Sequence, residues 1–411
     1  MGLKMKFDTV IQHNLAVQVQ SRALERQAAK QGHPISNTLL LAKLSPPNQR
    51  RRTRTLYIQG ITLKKWHDPK RSAERWFEDF KTLESKLQVE GVDSEPVKVA
   101  IIDTGAVFTK RRAHVEYDDR IKGFWPDDDR DQLGRPHHIG RDDDGHGTHV
   151  ASALLNVNPF CHVYIARAFH SRSEQLGSQM AEEVQQRVAQ AIRHAVDEWN
   201  VNILSLSFGF ERQIDDIRQA LVHAEQNHIL VIAACGNFGG RQQWTWPARH
   251  QSVLGMYAAD GNENLYPRNP TPANDDQRFA ALGVAVKGLT PADGTVLRSG
   301  TSIATPITAG IAGTLIHFMR QHKEKYLEAT CAYSDKGWVI QADSRTPSNA
   351  MRIEFDRLVR GLNTHAGMSA VFLRMKTDRA GYRVLVPTAL FDNHRSGILL
   401  VNFLLNLIGN L

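Results

Sequence analysis

The sequence predicts an α/β fold in which a parallel sheet is covered by helices on both faces. Three observations carry that expectation. Short apolar runs at 97–102, 161–168, 201–206 and 229–233 show no polar alternation, as strands buried on both faces do. Between them lie stripes at helical spacing: Val184, Val188, Ala191, Ile192, Ala195 and Trp199, then Ile214, Ile217, Leu221 and Ala224. Strand and helix alternate, and parallel strands need such crossovers.

The elements before and after this block differ in character. Trp76, Phe77, Phe80, Leu83 and Leu87 share one face of a helix expected over 73–87. Pro34, Pro46 and Pro47 break the chain ahead of it, and Glu95-Pro96 marks a boundary. Beyond about residue 325 the spacing predicts a helix over 349–362 and a strand over 382–386. The apolar tail from Gly397 to Leu411 is interrupted by Asn402, Asn406 and Asn410, and it reads as core in preference to a membrane anchor. No apolar run is expected to span a membrane. The expected organisation is a basic, partly helical accessory region (1–95), a main domain (96–325) and a C-terminal extension or small α+β region (326–411).

Composition sets outer limits. The chain has 411 residues, 41 % hydrophobic and 23 % charged, which excludes wholesale disorder and fibrous repeats. Its net charge of +8 is uneven: residues 1–95 hold 17 Lys and Arg against 10 Asp and Glu, and the remainder is nearly neutral. The run Arg50-Arg51-Arg52-Thr53-Arg54 lacks interleaved aromatics and reads as a solvated linker, so no specific nucleic-acid partner is expected. Three cysteines (Cys161, Cys235, Cys331) cannot build a disulfide framework. With no apolar signal segment in the first 25 residues, the expected location is cytoplasmic.

Three segments carry chemistry. Ile101-Ile102-Asp103-Thr104-Gly105 puts an acid at the C-terminal end of a buried strand, where open α/β sheets place their sites. Asp144-Gly145-His146-Gly147-Thr148-His149 sets a His between glycines. Ser299-Gly300-Thr301-Ser302-Ile303-Ala304 puts a Ser in a turn that opens a helix, whose free N–H groups and dipole suit a developing oxyanion. Asp, His and Ser are the parts of an acyl-transfer triad. Ala233-Ala234-Cys235-Gly236-Asn237 follows another buried strand and offers the Asn237 amide as an oxyanion donor beside the Ser302 N–H.

These segments, in the order Asp103, His146, Asn237, Ser302, resemble the motifs of subtilisin-like serine proteases (the subtilases, peptidase family S8). VAIIDTG resembles the family's Asp motif, GHGTHVA its His motif, AACGNFG the segment bearing its oxyanion Asn, and GTSIATPITAG its Ser motif. SLSFGF resembles the strand that lines the first specificity pocket and pairs with bound peptide. The resemblance covers about residues 97–320. It implies a three-layer fold with a mostly parallel sheet of about seven strands, and a serine endopeptidase acting on polypeptides. It further implies that Ser205, Leu206, Ser207, Phe208, Gly209, Ala234 and Gly236 bind substrate, peptide adding a strand along 206–209. Ile303 stands where the family has Met, a volume-conserving exchange. Phe210 stands where a small residue is common and is expected to reshape the subsites. Cys235 reads as a small buried residue. No cofactor or metal is required.

Other readings are weaker. Asp103-Thr104-Gly105 also resembles an aspartic-protease motif, but no second copy occurs. His146 and His149 alone are too few for zinc. Asp127–Asp129, Asp131 and Asp142–Asp144 are candidate calcium ligands that read better as solvated loop acids. His137-His138 reads as loop surface. A catalytically silent binding or signalling module is the alternative function, and residues 1–95 are the expected place for a restraint or a protein partner.

Overall fold

The computed structural model describes residues 68–87, 94–108, 120–126, 140–176, 181–240, 244–272, 278–334, 346–392 and 397–411. The Arg50–Arg54 run, the three early prolines, Asp127–Asp129, Asp131 and His137-His138 lie outside the described residues. In chain order the elements are α1 (Pro69–Leu87), β1 (Lys98–Asp103), β2 (Ile121–Trp125), α2 (His146–Val157), β3 (His162–Arg167), α3 (Ser173–Leu176), α4 (Glu182–Asp197), β4 (Ile203–Leu206), α5 (Asp215–Gln226) and β5 (Leu230–Ala234). Then follow β6 (Val253–Ala259), β7 (Phe279–Leu282), β8 (Val286–Leu289), β9 (Thr295–Arg298), α6 (Thr301–Gln321), α7 (Lys323–Ser334), α8 (Asn349–Gly361), α9 (His365–Phe372), β10 (Lys376–Arg379), β11 (Tyr382–Leu385), α10 (Pro387–Asp392) and α11 (Gly397–Gly409).

One sheet runs β10-β11-β7-β6-β5-β4-β1-β3-β2, and β8-β9 form a separate hairpin. Every neighbouring pair in the large sheet is parallel except β10–β11. Side chains along a strand alternate between faces. Val99 and Ile101 therefore join the core under α6 and α2, while Ala100 and Ile102 join the core under α4 and α5. The result is the three-layer α/β arrangement that the continuous apolar runs predict.

The sheet has nine strands where about seven were expected. The extra pair is the β10–β11 hairpin, which docks Arg383 and Val384 in register with Phe279 and Ala280 of β7. β11 matches the strand expected near 382–386. β10, Lys-Thr-Asp-Arg, is a polar edge strand and carries no apolar signal.

Packing is continuous across the boundaries expected at 95/96 and 325/326. Ala73, Phe80 and Leu83 of α1, Phe355 and Val359 of α8, and Leu400 and Leu404 of α11 lie in the same apolar core as Val99 and Ile303. The α1 stripe works as its spacing predicts: Phe80 and Leu83 are buried, and Trp76 stacks on Phe80 at 5.1 Å. Leu400, Val401, Leu404, Leu405 and Ile408 of α11 are buried, as read from the tail.

One described helix, α6, is long and apolar enough by length and composition to cross a membrane, and its apolar window is wholly buried in this fold. Threonines mask the run in sequence. Thr305, Thr308 and Thr314 donate to the carbonyls of Thr301, Ala304 and Gly310 at 2.9–3.0 Å, so a buried helix carries their hydroxyls without loss.

A buried carboxyl makes stability depend on pH. Burial pushes Glu84 of α1 from its ordinary 4.5 up to about 7, with Lys81 and Arg120 pulling it back only in part. The unfolded chain releases this proton near the ordinary value and the folded chain only near 7. Stability is therefore full at low pH and falls as pH rises through that window. Glu84→Gln is expected to abolish a fall on the order of 3 kcal/mol. Urea midpoints should then separate the two proteins at about pH 8 and converge below the ordinary carboxylate pKa. Parallel pH slopes would assign the dependence to another group.

Candidate active site

The topology brings Asp103, His146 and Ser302 together. Asp103 ends β1, the strand flanked by β3 on one side and β4 on the other, where the order of connection reverses and a crevice opens. His146 is the first residue of α2 and Ser302 the second of α6. His146 Nδ1 lies 2.8 Å from Asp103 Oδ1, and His146 Nε2 lies 3.1 Å from Ser302 Oγ. A carboxylate only accepts, so Nδ1 carries the proton and Nε2 accepts from the serine hydroxyl. Asp103 and His146 are buried, while Ser302 keeps 7 % of its surface.

Asp142 braces the acid and the base, and the sequence reading placed it among solvated acids. It is buried. Its Oδ1 accepts from Gly145 N–H at 2.8 Å and from the Thr104 hydroxyl at 2.8 Å. Its Oδ2 accepts from Thr148 N–H at 2.7 Å and the Thr148 hydroxyl at 2.6 Å. One carboxylate therefore satisfies two of the free donors at the start of α2 and ties them to the residue after Asp103. Thr104 Oγ1 in turn accepts from Gly147 N–H at 2.9 Å. An Asp shortly before a helix start was the available signal. The approach is so close that a Cβ on Gly147 would sit 1.8 Å from the Gly105 carbonyl oxygen. Asp143 points elsewhere. It pairs with Arg167 at 2.7 Å and Arg141 at 3.0 Å, and its bond to Arg141 holds its carboxyl below the usual range.

Ser302 is set by three contacts. Gly300 has φ 149°, a conformation that suits glycine. Thr301 N–H donates to Asn237 Oδ1 at 2.9 Å, and Gly236 N–H donates to Thr301 Oγ1 at 3.1 Å. With Oδ1 so engaged, the other end of the Asn237 amide is the Nδ2 donor, and the Ser302 N–H has no acceptor within its own helix. Pro306 has no N–H to offer the Ser302 carbonyl four residues back, and the Ser207 hydroxyl fills that place at 2.8 Å.

The expected substrate-binding set divides. Ser205 and Leu206 have fully buried side chains, and β4 pairs there on both sides, with β1 and β5. Ser207 serves the Ser302 carbonyl. Phe208 turns inward, and Phe210, expected to reshape subsites, packs with it and with Phe169 and Trp246 in the core. Gly209, Ala234 and Gly236 remain on the segments flanking Ser302. Cys235 is buried, as expected. His149 is also buried and bonds the Val286 carbonyl through Nε2 at 3.0 Å. Desolvation lowers it to about 4, so it stays neutral and structural. Among the described residues no group of three or more His, Cys, Asp or Glu is arranged to hold a metal ion.

Comparison with known proteins identifies a family and relatives of the chain. The profile of the subtilase family matches residues 94–337. Subtilisin-like protease het-Q2 of Podospora anserina is 29 % identical over 194 residues, covering 44 % of this chain and 51 % of that protein. The chain thus spans about half the length of this relative. Subtilisin DY of Bacillus licheniformis is 28 % identical over 243 residues, covering 56 % of this chain and 80 % of that protein. Among solved structures, a Ser-to-Ala mutant of the protease domain of PatA shares the fold, with a TM-score of 0.50 at 21 % identity, covering 74 % of this chain and 97 % of that one. With its profile matched over more than half of the sequence, the chain belongs to the subtilase family.

Proposed function

We propose that this chain hydrolyses peptide bonds through an acyl-enzyme formed on Ser302. The single observation that carries the reading is the unbroken line from Asp103 through His146 to Ser302, at 2.8 and 3.1 Å. Ser302 Oγ attacks the carbonyl carbon as His146 Nε2 takes its proton, and the Asp103 charge stabilises the imidazolium that forms. Asn237 Nδ2 and the Ser302 N–H hold the oxyanion. The imidazolium then gives its proton to the leaving amine. Water, deprotonated by His146, releases the acyl group and restores the serine.

Asn237→Ala tests the oxyanion assignment. The bond to the oxyanion strengthens only as charge develops, so kcat is expected to fall about 10²- to 10³-fold with KM little changed. Steady-state kinetics on a peptide substrate read this directly, and an unaltered kcat would remove Asn237 from the site.

A further inference from the structure

Past the ends of β4 and β5, segments 207–209 and 234–236 leave the sheet side by side, because Leu206 is in register with Ala233. Both abut the serine turn, through Ser207 on the Ser302 carbonyl and Gly236 on Thr301 Oγ1. Peptide paired along 206–209, as the family resemblance implies, would turn its acyl-side side chain toward the gap between these segments. The gap has a floor. Thr245 N–H donates to the Cys235 carbonyl at 3.0 Å, and Phe210 and Trp246 exchange backbone bonds at 2.6 and 2.8 Å, so 245–246 crosses from one wall to the other.

Both walls carry a glycine there, and Thr245 takes up the space they open. A Cβ on Gly209 would lie 2.0 Å from Thr245 Oγ1, and one on Gly236 would lie 3.0 Å from Thr245 Cγ2. The Thr245 hydroxyl donates to the Ala234 carbonyl at 2.9 Å, and the residue is only 3 % exposed, so it is held in place. At the mouth, Phe238 is 46 % exposed, and its Cδ2 lies 3.4 Å from that same Gly236 position.

We propose that Thr245 shortens the acyl-side specificity pocket, so that this chain cleaves after small residues such as Ala and Ser and rejects Leu and Phe there. The inference rests on the endopeptidase function proposed above. A side chain too long by one methylene in a closed pocket costs about 10- to 200-fold in kcat/KM.

The test uses the full chain and peptide substrates that differ only at the acyl-side residue (Ala, Leu or Phe), with fluorophosphonate labelling of each protein in parallel. The wild type is expected to favour Ala over Phe by at least about 10-fold, and Thr245→Gly to raise hydrolysis of the Phe peptide by about 10- to 200-fold. Thr245→Ser keeps the hydrogen bond and removes only the methyl, so it guards against misfolding and should shift preference the same way by less. A wild type that labels but prefers Phe overturns the inference and leaves the endopeptidase reading standing. Variants that label normally and keep the wild-type order also overturn it. A wild type that neither labels nor hydrolyses any peptide overturns both.

Discussion

Ser302→Ala is expected to lower kcat by about 10⁶ and to leave a small rate above the uncatalysed reaction, supplied by substrate binding and the oxyanion donors. The size follows from the absence of a substitute nucleophile beside His146. The Ser207 hydroxyl is buried and committed to the Ser302 carbonyl, and Thr301 Oγ1 accepts from Gly236 N–H. Neither contacts His146 Nε2. The loss is chemical and not structural, because among the described residues the Ser302 side chain bonds that nitrogen and no other group. Adding His146→Ala to Ser302→Ala should therefore cost little more, since the two act as one unit. Wild-type turnover in Ser302→Ala would show that another group carries the reaction.

Asp103→Asn is expected to cost about 10⁴ in kcat with KM nearly unchanged. The substitution removes the charge that stabilises the imidazolium. An amide nitrogen turned toward His146 Nδ1 would also hold the opposite tautomer, leaving Nε2 protonated and unable to accept from Ser302. The shape of the site should survive because the Asp142 brace is untouched, although Thr104 N–H, which shares Oδ1 with His146 Nδ1, loses its acceptor when the amide nitrogen faces the imidazole. Circular dichroism of the variant should match wild type while steady-state kinetics fall. A loss below tenfold would place the orienting role elsewhere.

Much of this was legible in sequence for identifiable reasons. β1, β3, β4 and β5 announce themselves because burial on both faces makes them uniformly apolar. Asp103, His146, Asn237 and Ser302 announce themselves because each chemistry-bearing side chain sits among glycines and small residues that only close backbone approach requires. Function of the neighbours was harder to read. Asp142 looks like one acid in a solvated cluster, and only folding turns it toward Thr104 and Thr148. Ser205 and Ser207 share one strand path, yet the first is paired inside the sheet and the second meets a carbonyl that Pro306 leaves without a donor. Phe208 and Phe210 sit beside the site in sequence and inside the core in space, because an aromatic cluster with Phe169 and Trp246 draws them inward. The attachment of α1 and the C-terminal helices to the main core was hidden because amphipathic stripes show that a face is buried and not against what.

The most direct measurement is labelling of the purified full chain with a fluorophosphonate, with Ser302→Ala alongside. Such a probe reacts with a serine hydroxyl whose proton a neighbouring base can take. The expected result is a wild-type protein labelled at one site and a variant that does not label. An unlabelled wild type, or a variant that labels as well as wild type, would contradict the assignment of Ser302 as the activated nucleophile.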